Sequence, residues 1–166
     1  TLDERLRRER TREEARLTSE ARRAGVPTPV IRDVDPTETT IRFQRVGDCD
    51  LRDALTEETV RETAKSLAAI HDAGFVHGDP TTRNVRVNRE PESDGPTVFL
   101  IDFGLGYYTR HAEDHAMDLH VFEQSLDGTA DDADTLRTAA EDAYESAGDP
   151  AVLDRLSDIE GRGRYQ

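Results

Sequence analysis

Cysteine is almost absent from this sequence, with Cys49 standing alone. A lone cysteine excludes an internal disulfide framework and a cysteine-based zinc site, and it suits a reducing, cytoplasmic compartment. Lysine is equally scarce: of 22 basic residues only Lys65 is a lysine. No stretch approaches the roughly 20 apolar residues of a membrane span, so no membrane partner is expected. The opening Thr1-Leu2-Asp3-Glu4 carries no basic-then-apolar signal segment. Apolar residues make up only 34% of the chain, yet 166 residues still suffice to bury one economical core. One domain, or part of one, is expected.

Acid is what the chain has in excess. Asp and Glu number 36, which gives a net charge of −14 and disfavours holding nucleic acid by general electrostatics. The acidic, arginine-rich, lysine-poor composition resembles that of proteins from high-salt cytoplasm, where carboxylates keep their hydration and salt screens their repulsion. The charge is uneven. Residues 1–24 hold 8 arginines against 6 acids, whereas residues 127–160 hold 2 basic residues against 11 acids. Only the two ends are basic, the second through Arg162 and Arg164.

Residues 2–24 are rich in alanine and leucine, lack proline and precede Gly25, which predicts a helix and its stop. Val26-Pro27-Thr28-Pro29 reads as an extended connector. Residues 30–34 and 39–43 read as two strands around the turn 35–38. Asp48 or Asp50 could cap a short helix. Residues 56–73 form the clearest helix, with Thr56 as cap, Glu57 and Glu58 in the first turn, and Val60, Ala64, Leu67, Ala68 and Ile70 as its buried face. Short apolar strands are expected at 85–87 and 98–101 around a polar turn, 88–96. Helices follow at 114–126, 135–147 and 151–159, the first two separated by an acidic linker. The class is α+β.

Two motifs carry chemistry. His77-Gly78-Asp79-Pro80-Thr81-Thr82-Arg83-Asn84 contains H-x-D-x-x-x-x-N, and eighteen residues after Asn84 an apolar strand ends in Asp102-Phe103-Gly104. Phosphoryl transfer needs a carboxylate to orient, or deprotonate, the attacking hydroxyl, and hard oxygen ligands for the Mg²⁺ that bridges the phosphates. Asp79 suits the first task; Asn84 and Asp102 suit the second, because a hairpin between them would bring both to one place. Each motif alone is weak, but both in order around a strand–turn–strand pattern are a strong signal.

These motifs, with Leu2-Asp3-Glu4, the Arg10–Arg16 run, Gly25-Val26-Pro27-Thr28-Pro29, Leu105-Gly106, Asp118-Leu119 and the closing Arg162-Gly163-Arg164, resemble one family across nearly the whole chain. That family is the small atypical serine/threonine kinase/ATPase subunit of the KEOPS tRNA-modification complex. The composition points to a haloarchaeal member, and such members are often fused behind the threonylcarbamoyl-transferase subunit. The resemblance implies a protein-kinase-like fold with an incomplete N-lobe (1–46), a shortened, mainly helical C-lobe (47–159) and a basic tail (160–166). It implies ATP with Mg²⁺ or Mn²⁺ as cofactors. It also implies support of N6-threonylcarbamoylation of tRNA adenosine 37, with the transferase subunit and a small regulator subunit as partners. By position it makes Asp79 the catalytic carboxylate and Asn84 and Asp102 the metal ligands. Glu14 becomes the partner of an ATP-anchoring lysine, His77 and Asp118 braces of the catalytic loop, and Arg162 and Arg164 contacts for tRNA or a partner. Pro80 and Arg83 depart from the family pattern.

The Gly-rich phosphate loop and anchoring lysine of such kinases are missing from these 166 residues, so a truncated, weakly ATP-binding chain is expected. Lys65 falls inside a helix and reads as a solvated residue. His111, His115 and His120 with Asp114 and Asp118 could suggest a metal site but read better as polar helix positions. Arg5, Arg7, Arg8, Arg10, Arg12 and Arg16 offer an RNA face, or pair with acids three and four residues away. Tyr107 and Tyr108 are expected to pack. Two other functions compete: a small-molecule phosphotransferase of the aminoglycoside-kinase type, and a scaffold without catalysis.

Overall fold

The structure, a computed structural model, describes residues 1–89 and 94–163. It begins with helix α1 (Leu2–Arg23), whose start is fixed by a capping box. The Thr1 hydroxyl accepts from the Glu4 amide, and the Thr1 amino group donates to the Glu4 carboxylate. Intrahelical pairs Arg7–Asp3, Arg5–Glu9 and Arg16–Glu13 account for part of the arginine run. The connector then leads to an antiparallel hairpin, β1 (Ile31–Asp35) and β2 (Thr40–Phe43). Its turn is held by the Asp35 carboxylate, which accepts from the amides of Thr37 and Glu38.

Next come β3 (Cys49–Asp50) and helix α2 (Glu57–Asp72), where Thr56 and Thr59 cap reciprocally. Four short strands follow: β4 (Phe75–Val76), β5 (Val85–Asn88), β6 (Thr97–Leu100) and β7 (Tyr107–Tyr108). Helices α3 (Ala112–Asp127), α4 (Ala133–Ala147) and α5 (Pro150–Gly163) end the described chain. The strands form three small sheets, β1-β2, β3-β5-β6 and β4-β7. Among the described residues no helix is long and apolar enough to cross a membrane.

One core joins these pieces. Leu67 and Ile70 of α2 are buried with Leu119, Phe122 and Leu126 of α3, Leu136 and Tyr144 of α4, and Leu156 of α5. Alanines at 64 and 68 on α2 and at 140 and 143 on α4 keep the facing surfaces shallow, and these two helices make the most extensive helix–helix contact. The low apolar content is thus concentrated on one face of each helix, leaving most of the charge outside, with Asp118 and Glu123 of α3 as buried exceptions.

Four expectations need correction. Asp50 makes no capping bond; it pairs with Arg86 at 2.8 Å, because the β3–β5 register sets the two residues opposite each other. Three two-residue strands were not expected, being too short to show a period. The apolar strand ends at Leu100, and Ile101 already belongs to the loop. The supposed tail, in its part 160–163, continues α5, because the Val152–Leu156–Ile159 stripe packs that helix onto the core. Arg162 pairs there with Glu113, whereas Arg164 lies outside the described residues, as does part of the expected 88–96 turn.

Candidate active site

The β5–β6 hairpin builds the site. Its register, Val85 opposite Leu100, places Asn84 at the start of one strand against Ile101 at the end of the other. The Ile101 amide donates to the Asn84 carbonyl at 3.0 Å, so Asp102 emerges beside Asn84 although eighteen residues separate them. The loop before β5 is drawn tight by two turns, Thr81 amide to Asp79 carbonyl and Asn84 amide to Thr81 carbonyl. Both hydrogens of the Asn84 amide group point at Asp79, one to its carbonyl (2.9 Å) and one to its carboxylate Oδ2 (3.1 Å). The Asn84 oxygen Oδ1 is therefore the atom available to a cation.

Asp102 is exposed and has φ of +60°, a left-handed conformation that costs a non-glycine residue energy and clusters at functional sites. Its Oδ1 accepts from the Gly104 amide at 3.2 Å. A Cβ on Gly104 would lie 3.1 Å from Asp102 Oδ1 and 3.5 Å from Glu14 Oε2, so that glycine admits both carboxylates to one spot. Burial, followed by the charge of Asp102, raises the pKa of Glu14 above the ordinary carboxylate range, against the pull of Arg10. The Asp102 and Asn84 oxygens are of the hard kind that Mg²⁺ takes, and Glu14 stands beside them with Arg10 as a nearby cation.

Below the loop sits a brace. Asp118 is buried and accepts three hydrogen bonds: from the His77 amide (2.9 Å), the Gly78 amide (2.9 Å) and His71 Nε2 (2.8 Å). Burial alone would raise its pKa, but the His71 bond and the His71 and His77 rings outweigh it and hold Asp118 below the ordinary range. The Asp79 amide donates to His77 Nδ1, which makes His77 Nε2 the donor to the Ile101 carbonyl at 2.7 Å. One ring thus ties the Asp79 loop to the Asp102 loop. Phe103 lies buried against it with ring centroids 4.7 Å apart. The sequence reading missed His71 and Tyr144, whose hydroxyl meets His71 Nδ1 at 2.7 Å. Nothing in their spacing signals the contact, which spans 73 residues.

Beside Asp102 opens a cavity of about 740 Å³, lined among others by Glu14, Pro29, Phe43, Gln44, Ile101 and Asp102. Its edge is the segment after β2, a stretch not singled out from sequence, where the Gln44 amide donates to the Val30 carbonyl.

The remaining candidates fall elsewhere. His115 bonds the Thr109 carbonyl and stacks on His71, and His111 and His120 join no metal-like cluster among the described residues. Tyr107 and Tyr108 are about half exposed, contrary to expectation, since among the described residues β7 is an edge strand paired only with β4; the Tyr108 ring meets Phe75 edge-on. Lys65 is exposed on α2 and paired with Glu62. Pro80 is buried and Arg83 exposed.

No family model matches the chain. A solved structure, the Rio2 kinase ADP/Mg²⁺ phosphoaspartate complex from Chaetomium thermophilum, aligns with a TM-score of 0.59 at 16% identity, over 97% of this chain and 56% of that one, which shows a protein-kinase-like fold. A protein of Haloarcula marismortui named "Probable bifunctional tRNA threonylcarbamoyladenosine biosynthesis protein" is 69% identical over the full length of this chain, which spans 30% of that relative. A protein of Archaeoglobus fulgidus named "Probable serine/threonine-protein kinase BUD32 homolog" is 36% identical over 99% of this chain and 80% of its own length. With that coverage on both sides and the fold just described, the chain belongs to the family of the BUD32-type serine/threonine-protein kinase homologues.

Proposed function

We propose that this chain is the ATP-using kinase/ATPase module of a protein that serves threonylcarbamoylation of tRNA, as a KEOPS subunit fused to, or bound by, the transferase subunit and touching a small regulator. The observation that carries the reading is the pair of amide bonds from Asn84 to Asp79, made beside Asp102.

Asp79 orients the attacking hydroxyl or water and takes up its proton, its carboxylate aimed by the Asn84 amide. Asn84 Oδ1 and the Asp102 carboxylate would hold Mg²⁺ or Mn²⁺, which when bound neutralises charge on the phosphates. Glu14 waits beside them to pair with a lysine that anchors ATP, and Lys65, exposed and engaged with Glu62, is not that lysine. The cavity at Phe43 and Gln44 takes the nucleotide base. His77 and Asp118 keep the two loops in register, so the nucleophile and the phosphate meet in line. On their own, residues 1–166 hold Mg-ATP weakly, because among the described residues no lysine lines the cavity beside Glu14 and Asp102, whose basic lining is Arg45 and Arg86, while Arg10 meets Glu14 from the neighbouring pocket.

The test uses Asp79→Asn and Asp102→Ala in the full-length protein, with ATP hydrolysis and tRNA threonylcarbamoylation as readouts. Both activities should fall at least about 100-fold, the usual worth of a positioned acid–base group or metal ligand. Wild-type levels of tRNA modification from both variants would make the chain a scaffold instead.

A further inference from the structure

On elements apart from the catalytic loops, α3, α4 and α5 bring three glutamates together. One oxygen each from Glu123, Glu141 and Glu160 lies within 4.8 Å of the others. Glu123 stands on the apolar face of α3, four residues after Leu119 and three before Leu126, and is 2% exposed. With all three groups ionised, neither of its oxygens has a hydrogen-bond donor among the described residues, and since buried carboxylates are almost always paired or metal-bound, the cluster holds either a shared proton or a cation. The nearby cation, Arg137, is engaged elsewhere: its guanidinium bonds Asp127 and approaches Asp134. Burial, then the carboxylates of Glu141 and Glu160, push Glu123 up to about 10.

We infer that Glu123, Glu141 and Glu160 form a structural site for a hard divalent cation of Ca²⁺ size, which ties α5 to α3 and α4. Three oxygens no more than 4.8 Å apart share a centre within about 2.8 Å of each, and small side-chain adjustments bring this to the roughly 2.3–2.6 Å of Ca²⁺–oxygen bonds. The donor set is all carboxylate, which suits Ca²⁺ and excludes the soft metals that want sulfur or imidazole. Glu141 and Glu160 are half-buried, so water completes the coordination and the ion has a way in. A cation here supplies the missing partner of Glu123 and displaces the proton that the group otherwise keeps. Each helix gives one ligand, so the ion acts as a staple across the three-helix junction, and Glu160 fixes the last turns of α5.

The test is Ca²⁺-dependent amide hydrogen exchange of the full-length protein, stripped with a chelator and free of nucleotide, read in the peptides of α5. Ca²⁺ should slow exchange in residues 150–163 of the wild type and of Asp102→Asn, whose substitution lies in the other cation site. Glu160→Gln should weaken the response at least tenfold. Glu123→Gln removes the buried charge altogether and should fold without Ca²⁺ yet ignore it. The proposal is overturned if wild-type exchange in α5 is indifferent to Ca²⁺ up to about 10 mM, above the weakest affinities of oxygen-ligand sites, which would leave a proton-sharing cluster. It is equally overturned if Glu160→Gln and Glu123→Gln respond as the wild type does.

Discussion

Replacing Asp118 by alanine should be the most damaging single polar substitution in this domain. The carboxylate is buried and accepts from two backbone amides and one imidazole at 2.8–2.9 Å. Alanine leaves the His77 amide and His71 Nε2 without an acceptor in a space closed to water, each at about 1–3 kcal/mol, while the half-buried Gly78 amide can recruit a water at less. Relief from burying the carboxylate itself offsets part of this, so the net loss is about 2–4 kcal/mol. That corresponds to a melting temperature lower by roughly 10 °C for a domain of this size. Asparagine keeps one acceptor but turns its own amide hydrogens toward a donor, and should lose about half as much. Urea unfolding of the full-length protein, followed through a tyrosine-sensitive probe, measures this directly. ATP hydrolysis should fall with it, because the Asp79 loop hangs from these bonds. The contrast is Asp79→Asn, which should abolish activity while leaving stability within about 0.5 kcal/mol. A loss below about 1 kcal/mol for Asp118→Ala would refute the reasoning, since the three bonds would then be replaceable.

Other outcomes follow from the same geometry. Gly78→Ala places a Cβ 2.1 Å from the Leu105 carbonyl oxygen at φ of +92°, and should cost more than about 3 kcal/mol by chemical denaturation. Lys65→Ala should change neither ATP hydrolysis nor stability by more than about 0.5 kcal/mol, the pair with Glu62 being exposed. Burial, with the His71 ring beside it, lowers the pKa of His115 below 6.5 despite its bond to the Thr109 carbonyl. The unfolded chain therefore takes up that proton first, so stability is full above about pH 6.5 and is lost as pH falls through the lower folded-state value. Melting curves between pH 7.5 and 5 should show this slope, and His115→Gln, which can still donate to Thr109, should flatten it.

Much of this architecture is written locally. The Thr1 and Thr56 caps, the apolar stripe of α2 and the turn at Asp35 act over a few residues, and they place α1, α2 and the β1–β2 hairpin within a residue or two of where the pattern puts them. The two-residue strands could not be read, because β4 and β7 exist only as partners of each other. The end of α5 is hidden from sequence for a similar reason: Glu160 and Gly161 have the composition of a tail, and it is packing on α3 that keeps them helical.

The candidate site divides in the same way. Asp79, Asn84 and Asp102 were legible because the H-x-D-x-x-x-x-N spacing and an apolar strand ending in D-F-G are local patterns, and the hairpin between them is a local structure. Their order along the chain was determined by sequence alone. The tertiary structure decided everything that depends on contacts across the fold. It set Asp118 under the loop with His71 and Tyr144 behind it, brought Glu14 to Asp102, and gathered Glu123, Glu141 and Glu160 from three helices. Periodicity tells which face of a helix is buried, but only packing tells which residue of another helix a buried carboxylate meets.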